Sequence, residues 1–367
     1  MSDSVPAPAP PVTASPSRRP SALVVLAVLA TLYTLYFARG FLLPIAFAIL
    51  LDFLLSPAVR TLVKLRIPQV IAAALVVLGL VTIVGFGVYK MAGPVQNLVA
   101  KAPESVKVAR EQLAKLLRPF ERVKRTAEQV ENAASTSSSS QAPVVVIQAP
   151  SIISRVFGST QRVLAALLEV VILLFFLLSA GDLFLRKLIK VLPHLQDKLK
   201  AIRIAREVED SISTYLVTIA AINLTEGLLI AGVLWLLGMP SPLLWGALVA
   251  VLEFIPYLGA LTIVVVLTIA GLGSFPGVGR ALLVPGTFLL VNTLQVNLIA
   301  PNLVGQRLSL NPVAVFIGLA FWFWLWGIPG AFIGVPLLAA FKICCDHIEM
   351  LAPVGEFLGG KEEPAVP

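Results

Sequence analysis

Residues 292–336 read NTLQVNLIAPNLVGQRLSLNPVAVFIGLAFWFWLWGIPGAFIGVP. The stretch opens as an apolar helix carrying three amides, Asn292, Gln295 and Asn297, and is interrupted by Pro301, Gly305, Asn311 and Pro312. It then turns almost wholly apolar, breaks again at Gly327, Pro329 and Gly330, and resumes toward Gly334 and Pro336, two further helix-break candidates. Irregular backbone and polar side chains at membrane depth survive only where protein or a water-filled cavity covers them. Paired Gly/Pro interruptions of this kind point to the substrate region of a transporter. The competing reading is a set of kinks in a tightly packed bundle.

Working outward, the composition agrees with a membrane protein. The chain has 367 residues, 58% hydrophobic and 13% charged, with a mean hydropathy of +0.93. An average soluble domain is about a quarter charged. Several apolar runs approach or exceed the roughly 20 residues needed to cross a bilayer as helix. The expected fold is therefore all-α and polytopic, with about eight transmembrane helices and broken or re-entrant helices in the C-terminal half. The net charge of +8 does not imply nucleic acid, because the basic residues sit in short loops beside apolar spans. There they follow the bias of Lys and Arg toward cytoplasmic loops.

Taken in order, residues 1–20 are rich in Pro, Ala and Ser and read as a disordered cytoplasmic tail. Residues 21–92 hold three spans, about 22–38, 41–55 and 69–91. Arg18 and Arg19 on one flank and Arg60, Lys64 and Arg66 on the other place the N-terminus and the 56–68 loop in the cytoplasm. Residues 93–159 form a polar, extracytoplasmic helical insertion. Val106, Ala109, Leu113, Leu116, Phe120, Val123, Ala127, Val130 and Ala134 make a heptad stripe. Pro119 is expected to kink or split that helix. The stripe has to bury its apolar face, and association with copies of the same chain is favoured. A Ser-rich linker, 135–143, follows it.

A fourth span covers 160–180. Residues 181–210 are basic and cytoplasmic, with Leu195, Leu199, Ile202, Ala205, Val208 and Ile212 at helical spacing, which predicts an interfacial amphipathic helix. Residues 211–345 make the C-terminal bundle, and 346–367 a cytoplasmic tail. Within the bundle, 242–272 and 312–341 either cross the membrane or turn back within it.

The resemblance to a known family comes from three segments. EFIPYLG at 253–259, APNLVGQRLSLNP at 300–312 and GIPGAFIGVPLLA at 327–339 resemble signature segments of the autoinducer-2 exporter family of permeases. The polar insertion after the third span and the basic stretch before Ile212 match the same plan, so the resemblance covers roughly 22–345. It implies an inner-membrane transporter that assembles as a homo-oligomer. Members of the family are associated with export of autoinducer-2 in some cases and with sodium/proton antiport in others. Fold-level analogy does not choose between these activities.

Ionisable groups inside spans are costly and are functional candidates by default. Glu226, in mid-span beside Asn223, Thr225 and Gly227, is the first candidate to bind and release protons. Glu253, near Pro256 and Gly259, is the second, because a helix break there frees carbonyls for a cation or a hydroxylated solute. Asn292, Gln295 and Asn297 are candidates to line a polar path, with Asn302 and Asn311 capping the half-helices beside it. Amides also simply hold helices together in lipid. Arg307 either attracts an anionic or polyol substrate or marks the cytoplasmic side, and the second is favoured. Asp52 and Glu169 read as packing or interface groups.

No HExxH, GxSxG or GxxxxGKS pattern occurs, so neither an enzyme nor an ATP-driven pump is expected. The vicinal Cys344 and Cys345 offer neither a disulfide framework nor enough ligands for a metal. No cofactor and no metal are expected. The partners are the bilayer, a small polar solute or sodium and protons, and further copies of the chain. The alternative is a membrane scaffold that acts through the heptad insertion and does not transport.

Overall fold

The computed structural model describes residues 21–132, 152–181, 187, 195–299, 302, 310–348 and 351–360. The chain divides into two compact units, Met1–Leu42 and Leu43–Pro367. In the first, α1 (Ser21–Phe37) leads into the start of α2 (Arg39–Lys64), and the Arg39 guanidinium lies 4.8 Å from the Tyr36 ring centre. The remaining helices are α3 (Gln69–Asn132), α4 (Ile152–Ala180), α5 (Leu195–Leu236), α6 (Pro242–Leu252), α7 (Leu258–Ser274) and α8 (Val278–Leu294). A π-helical turn, Gln295–Ile299, extends α8. Then come α9 (Pro312–Trp326), α10 (Ile328–His347) and the short α11 (Ala352–Leu358).

Among the described residues, six helices are long and apolar enough to cross a membrane. Four further apolar helices are shorter, and three of them are α6, α7 and α9. This is an all-α polytopic membrane protein.

Two sequence boundaries do not correspond to helix ends. The third span and the first part of the polar insertion are one helix, α3, of 64 residues, and Pro119 does not divide it. Likewise residues 195–210 are not a separate interfacial helix. They are the first turns of α5, which runs 42 residues without a break. A change from apolar to charged side chains alters what surrounds a helix but leaves its backbone hydrogen bonds intact.

Side-chain ties identify the two ends of the larger unit. At one end Arg60 on α2 pairs with Glu209 on α5, and Gln69 at the start of α3 donates to the Leu178 carbonyl of α4 at 3.2 Å. His347, closing α10, lies 3.2 Å from Glu207 of α5 at this same end. At the other end Gln112 of α3 donates to the carbonyls of Leu272 (3.3 Å) and Phe275 (3.2 Å). Arg280 there donates to the Leu237 carbonyl at 2.8 Å and covers the Phe275 ring.

These ties orient two helical hairpins. α6 leaves the second end and packs antiparallel on α5, with the backbones in closest approach where Gly227 meets Gly246. A Cβ on either glycine would strike the other's carbonyl, so no larger residue fits this crossing without moving a helix. After 11 residues, about 16 Å, α6 ends, which is about half of a roughly 30 Å hydrocarbon layer. The chain turns through Glu253–Tyr257 and returns as α7. Residues 242–272 therefore form a helical hairpin whose two ends lie at the same end of the unit.

The α9–α10 hairpin belongs to the first end. Gly330 faces Trp322 and Trp326, Gly334 faces Trp322 and Leu319, and Gly318 faces Leu338, the register of two antiparallel helices. Asn311 caps α9 by accepting from the Val313 amide at 3.0 Å, with Pro312 in the first turn. Gly327 ends it at φ 69°, ψ −148°, a conformation that only glycine adopts readily. Gly334 and Pro336, expected to mark a further break, lie inside α10 instead, both buried. At the hairpin's base, the Asn311 amide donates to the Leu358 carbonyl at 2.9 Å, and Leu310 bridges to Gly359. Residues 351–360 of the expected tail are thus folded onto the bundle.

The tip of α6–α7 seats against the side of α9–α10. Ile255, Leu319 and Ala331 form a buried cluster, and the Phe254 and Phe332 rings stack at 5.1 Å. Tyr257 meets Phe316 edge-on at 6.4 Å. The largest core cluster lies nearby, where Ile230, Leu234, Val249, Ile263, Leu267, Val284 and Phe288 interdigitate between α5, α6, α7 and α8.

Candidate functional site

Polar residues are scarce within this bundle, and several of those present converge. Asn223, Glu226 and Gln295 are the buried polar side chains among the described residues, exposed by 2%, 2% and 7%. Glu226 sits ten residues before the end of α5, about 15 Å along the helix from Leu236. A membrane span thus carries its acid at depth.

The α8 helix supplies the partner. Asn292 Nδ2 donates to Glu226 Oε1 at 3.5 Å, a long bond. Glu253, on the turn after α6, is within electrostatic reach of both Glu226 and Asn292. Glu226 Oε2, Glu253 Oε1 and Gln295 Oε1 are buried without a hydrogen-bond partner. Unsatisfied buried acceptors cost free energy and mark places where a proton, an ion or a ligand belongs.

The hairpin tip is held in place by α5. With its amide oriented to donate to the Ile219 carbonyl, Asn223 accepts from the Phe254 amide, both at 3.3 Å. Three residues after Phe254 the backbone is strained. Tyr257 has φ 63°, ψ −51°, and the Leu258 amide donates to the Pro256 carbonyl at 2.7 Å, closing a three-residue γ-turn of the rare positive-φ form. Strain of this kind clusters at functional sites.

A cavity of about 390 Å³ opens beside Glu226, between α5 and the end of α8. Thr218, Thr225, Glu226 and Gln295 line it together with Val217, Ile222, Leu229, Val291 and Ile299. Thr225 is exposed on α5 and gives its hydroxyl proton to the Ala221 carbonyl at 2.8 Å.

Of the sequence candidates, Glu226, Asn223, Glu253, Asn292 and Gln295 come together, and Thr225 borders the cavity. Asn297 does not join them, being exposed with its amide on the Thr293 carbonyl. Pro256 lies in the tip and Gly259 in the first turn of α7, pressed on the Leu252 carbonyl. Pro329 and Gly330 open α10. Pro301, Gly305 and Arg307 lie outside the described residues. Thr218 and the apolar lining were not singled out from sequence, although Thr218, Ile222, Thr225 and Leu229 recur at the three- and four-residue steps of one helix face.

These features define a multi-pass membrane protein whose polar centre lies where the continuous α5 meets the α6–α7 turn and the π-helical end of α8, and interrupted helices beside a polar site are a layout found in membrane transporters. The profile of the AI-2E family transporters matches residues 25–350, and the chain belongs to that family. It is 28% identical over 327 residues to the AI-2 transport protein TqsA of Escherichia coli, covering 85% of this chain and 87% of that protein. A Mycobacterium tuberculosis protein named as a transport protein is 26% identical over 325 residues, covering 87% of this chain and 86% of that one. Another so named, from Borreliella burgdorferi, is 30% identical over 214 residues. That alignment covers 57% of this chain and 58% of the relative, less than two thirds of its length.

Proposed function

We propose that this chain is a secondary transporter in which Glu226 binds and releases the coupling proton beside the cavity between α5 and α8. The observation that carries the reading is Glu226 itself, 2% exposed within a membrane span, with one oxygen on Asn292 and the other unpartnered. A fixed, uncompensated charge at that depth is costly, whereas a carboxylate that exchanges a proton for a cation or solute is compensated in each state. Glu253 serves as a second acceptor on the α6–α7 tip, within electrostatic reach of both Glu226 and Asn292.

A second substrate reading is export of a small polar solute resembling autoinducer-2, supported by similarity to TqsA over 85% of this chain. On either reading the chain sits in the inner membrane with its N-terminus and C-terminus cytoplasmic, as the basic flanks suggest. It works as a homo-oligomer.

Transport by the purified protein in proteoliposomes containing a pH-sensitive dye tests this. Sodium, potassium and lithium gradients applied in turn are expected to drive proton movement. No proton movement with any cation would refute proton coupling and leave export, tested by flux of labelled autoinducer-2.

A further inference from the structure

We propose that the cavity beside Glu226 binds an amine cation with an apolar body, such as an arylalkyl ammonium. The inference rests on the transporter reading for its purpose, but on the lining alone for its chemistry. Thr218 donates its hydroxyl proton to the Thr214 carbonyl at 2.7 Å and Thr225 donates to the Ala221 carbonyl at 2.8 Å. Both hydroxyls thus offer lone pairs. Glu226 Oε2 and Gln295 Oε1, on residues more than nine-tenths buried, have no partner at all. Among the described lining residues none is basic. The lining is therefore rich in acceptors and carries one carboxylate.

An ammonium group presents three donors and no acceptor, which matches this set. An anion would meet oxygen atoms with nothing to neutralise it. A dehydrated metal ion needs a shell of several oxygens around it, yet Val217, Ile222, Leu229, Val291 and Ile299 make most of the wall. Those walls suit an apolar body, and about 390 Å³ holds one comfortably. Access agrees with this chemistry. Val217, Leu229 and Ile299, at 41%, 52% and 42% exposure, form an open edge on the flank of membrane helices. An amphipathic amine dissolved in the bilayer reaches the cavity through that edge, apolar body first or ammonium first, without crossing a headgroup layer again.

The test is equilibrium dialysis of the full chain in phosphatidylcholine nanodiscs against radiolabelled phenylbutylamine, phenylbutanol and phenylbutyrate. Empty nanodiscs are subtracted. The amine is expected to bind about tenfold tighter than the alcohol and the acid, the scale of one charge-assisted hydrogen bond. Glu226→Gln is expected to abolish that preference while leaving the alcohol unchanged. Should Glu226→Gln not yield folded protein, Thr225→Val on the exposed side of α5 is expected to weaken the amine severalfold and spare the alcohol. Equal binding of amine and alcohol, or an amine preference that survives in the variants, would overturn the proposal. Dialysis reads no flux, so the two readings fail separately. An amine preference without cation-driven proton movement would support the site and refute proton coupling. Proton movement without an amine preference would do the reverse.

Discussion

The α6–α7 hairpin turns through Glu253–Tyr257 and the α9–α10 hairpin through Gly327, and both tips take a positive φ, on different residues and with different ψ. At Gly327 the positive φ falls on a glycine, and the helices on either side are apolar and aromatic. At Tyr257 it falls on a bulky side chain, four residues from a carboxylate within electrostatic reach of Glu226. One tip is relaxed and apolar, the other strained and polar. On the proposed function the chemistry lies at the strained tip, which Asn223 holds beside Glu226, and packing alone is needed at the other.

The largest expected effects fall at the glycines of the two hairpins. Gly246→Leu drives a side chain into the Gly227 carbonyl, and the expected loss exceeds roughly 3 kcal/mol. At Gly318, in the other hairpin, an added Cβ meets only the flexible end of Leu338 at 3.2 Å. Gly318→Ala is expected to cost less than about 1 kcal/mol. Thermal unfolding in detergent reads both, and equal losses would deny that α6 is the more tightly seated leg.

A smaller effect sharpens the contrast between the tips. Gly327→Ala should destabilise by about 1–3 kcal/mol, because its conformation excludes a Cβ. Tyr257→Gly should relieve backbone strain and, after the loss of the ring contact with Phe316, change stability by less than about 1 kcal/mol. Its effect is expected on transport instead. A loss of stability at Tyr257 as large as that at Gly327 would mean the two turns are equivalent. Smallest is the link between hairpins. A double-mutant cycle of Phe254→Leu and Phe332→Leu should give a coupling of about 0.5–1.5 kcal/mol. Zero coupling would mean that the stacked rings do not hold the tip.

Much of this was legible from residues 292–336 and the apolar runs around them. Glu226, Asn223 and Gln295 stand out because polar side chains inside a span need a reason, and all three are buried. Their convergence was not legible. Glu253 reaches Glu226 only because α6 is short and closely packed on α5 through Gly227 and Gly246, a relation between helices that periodicity does not encode. Gly and Pro were ambiguous for a similar reason. Pro256 and Gly327 mark true breaks, whereas Gly334 and Pro336 lie within α10, where packing outweighs one lost helix hydrogen bond. The long helices α3 and α5 passed through apparent boundaries because composition changes along them while backbone conformation does not.

On the function proposed above, the polar tip and α5 carry the coupling while the apolar tip only packs. The direct measurement is cation-driven proton movement in dye-loaded proteoliposomes, comparing wild type, Glu226→Gln and Phe332→Leu at matched amounts of folded protein. The Gln variant is expected to lose proton movement, by tenfold or more. The Leu variant is expected to move the same number of protons per cation, at an equal or lower rate. Proton movement unimpaired in Glu226→Gln would remove Glu226 from the coupling.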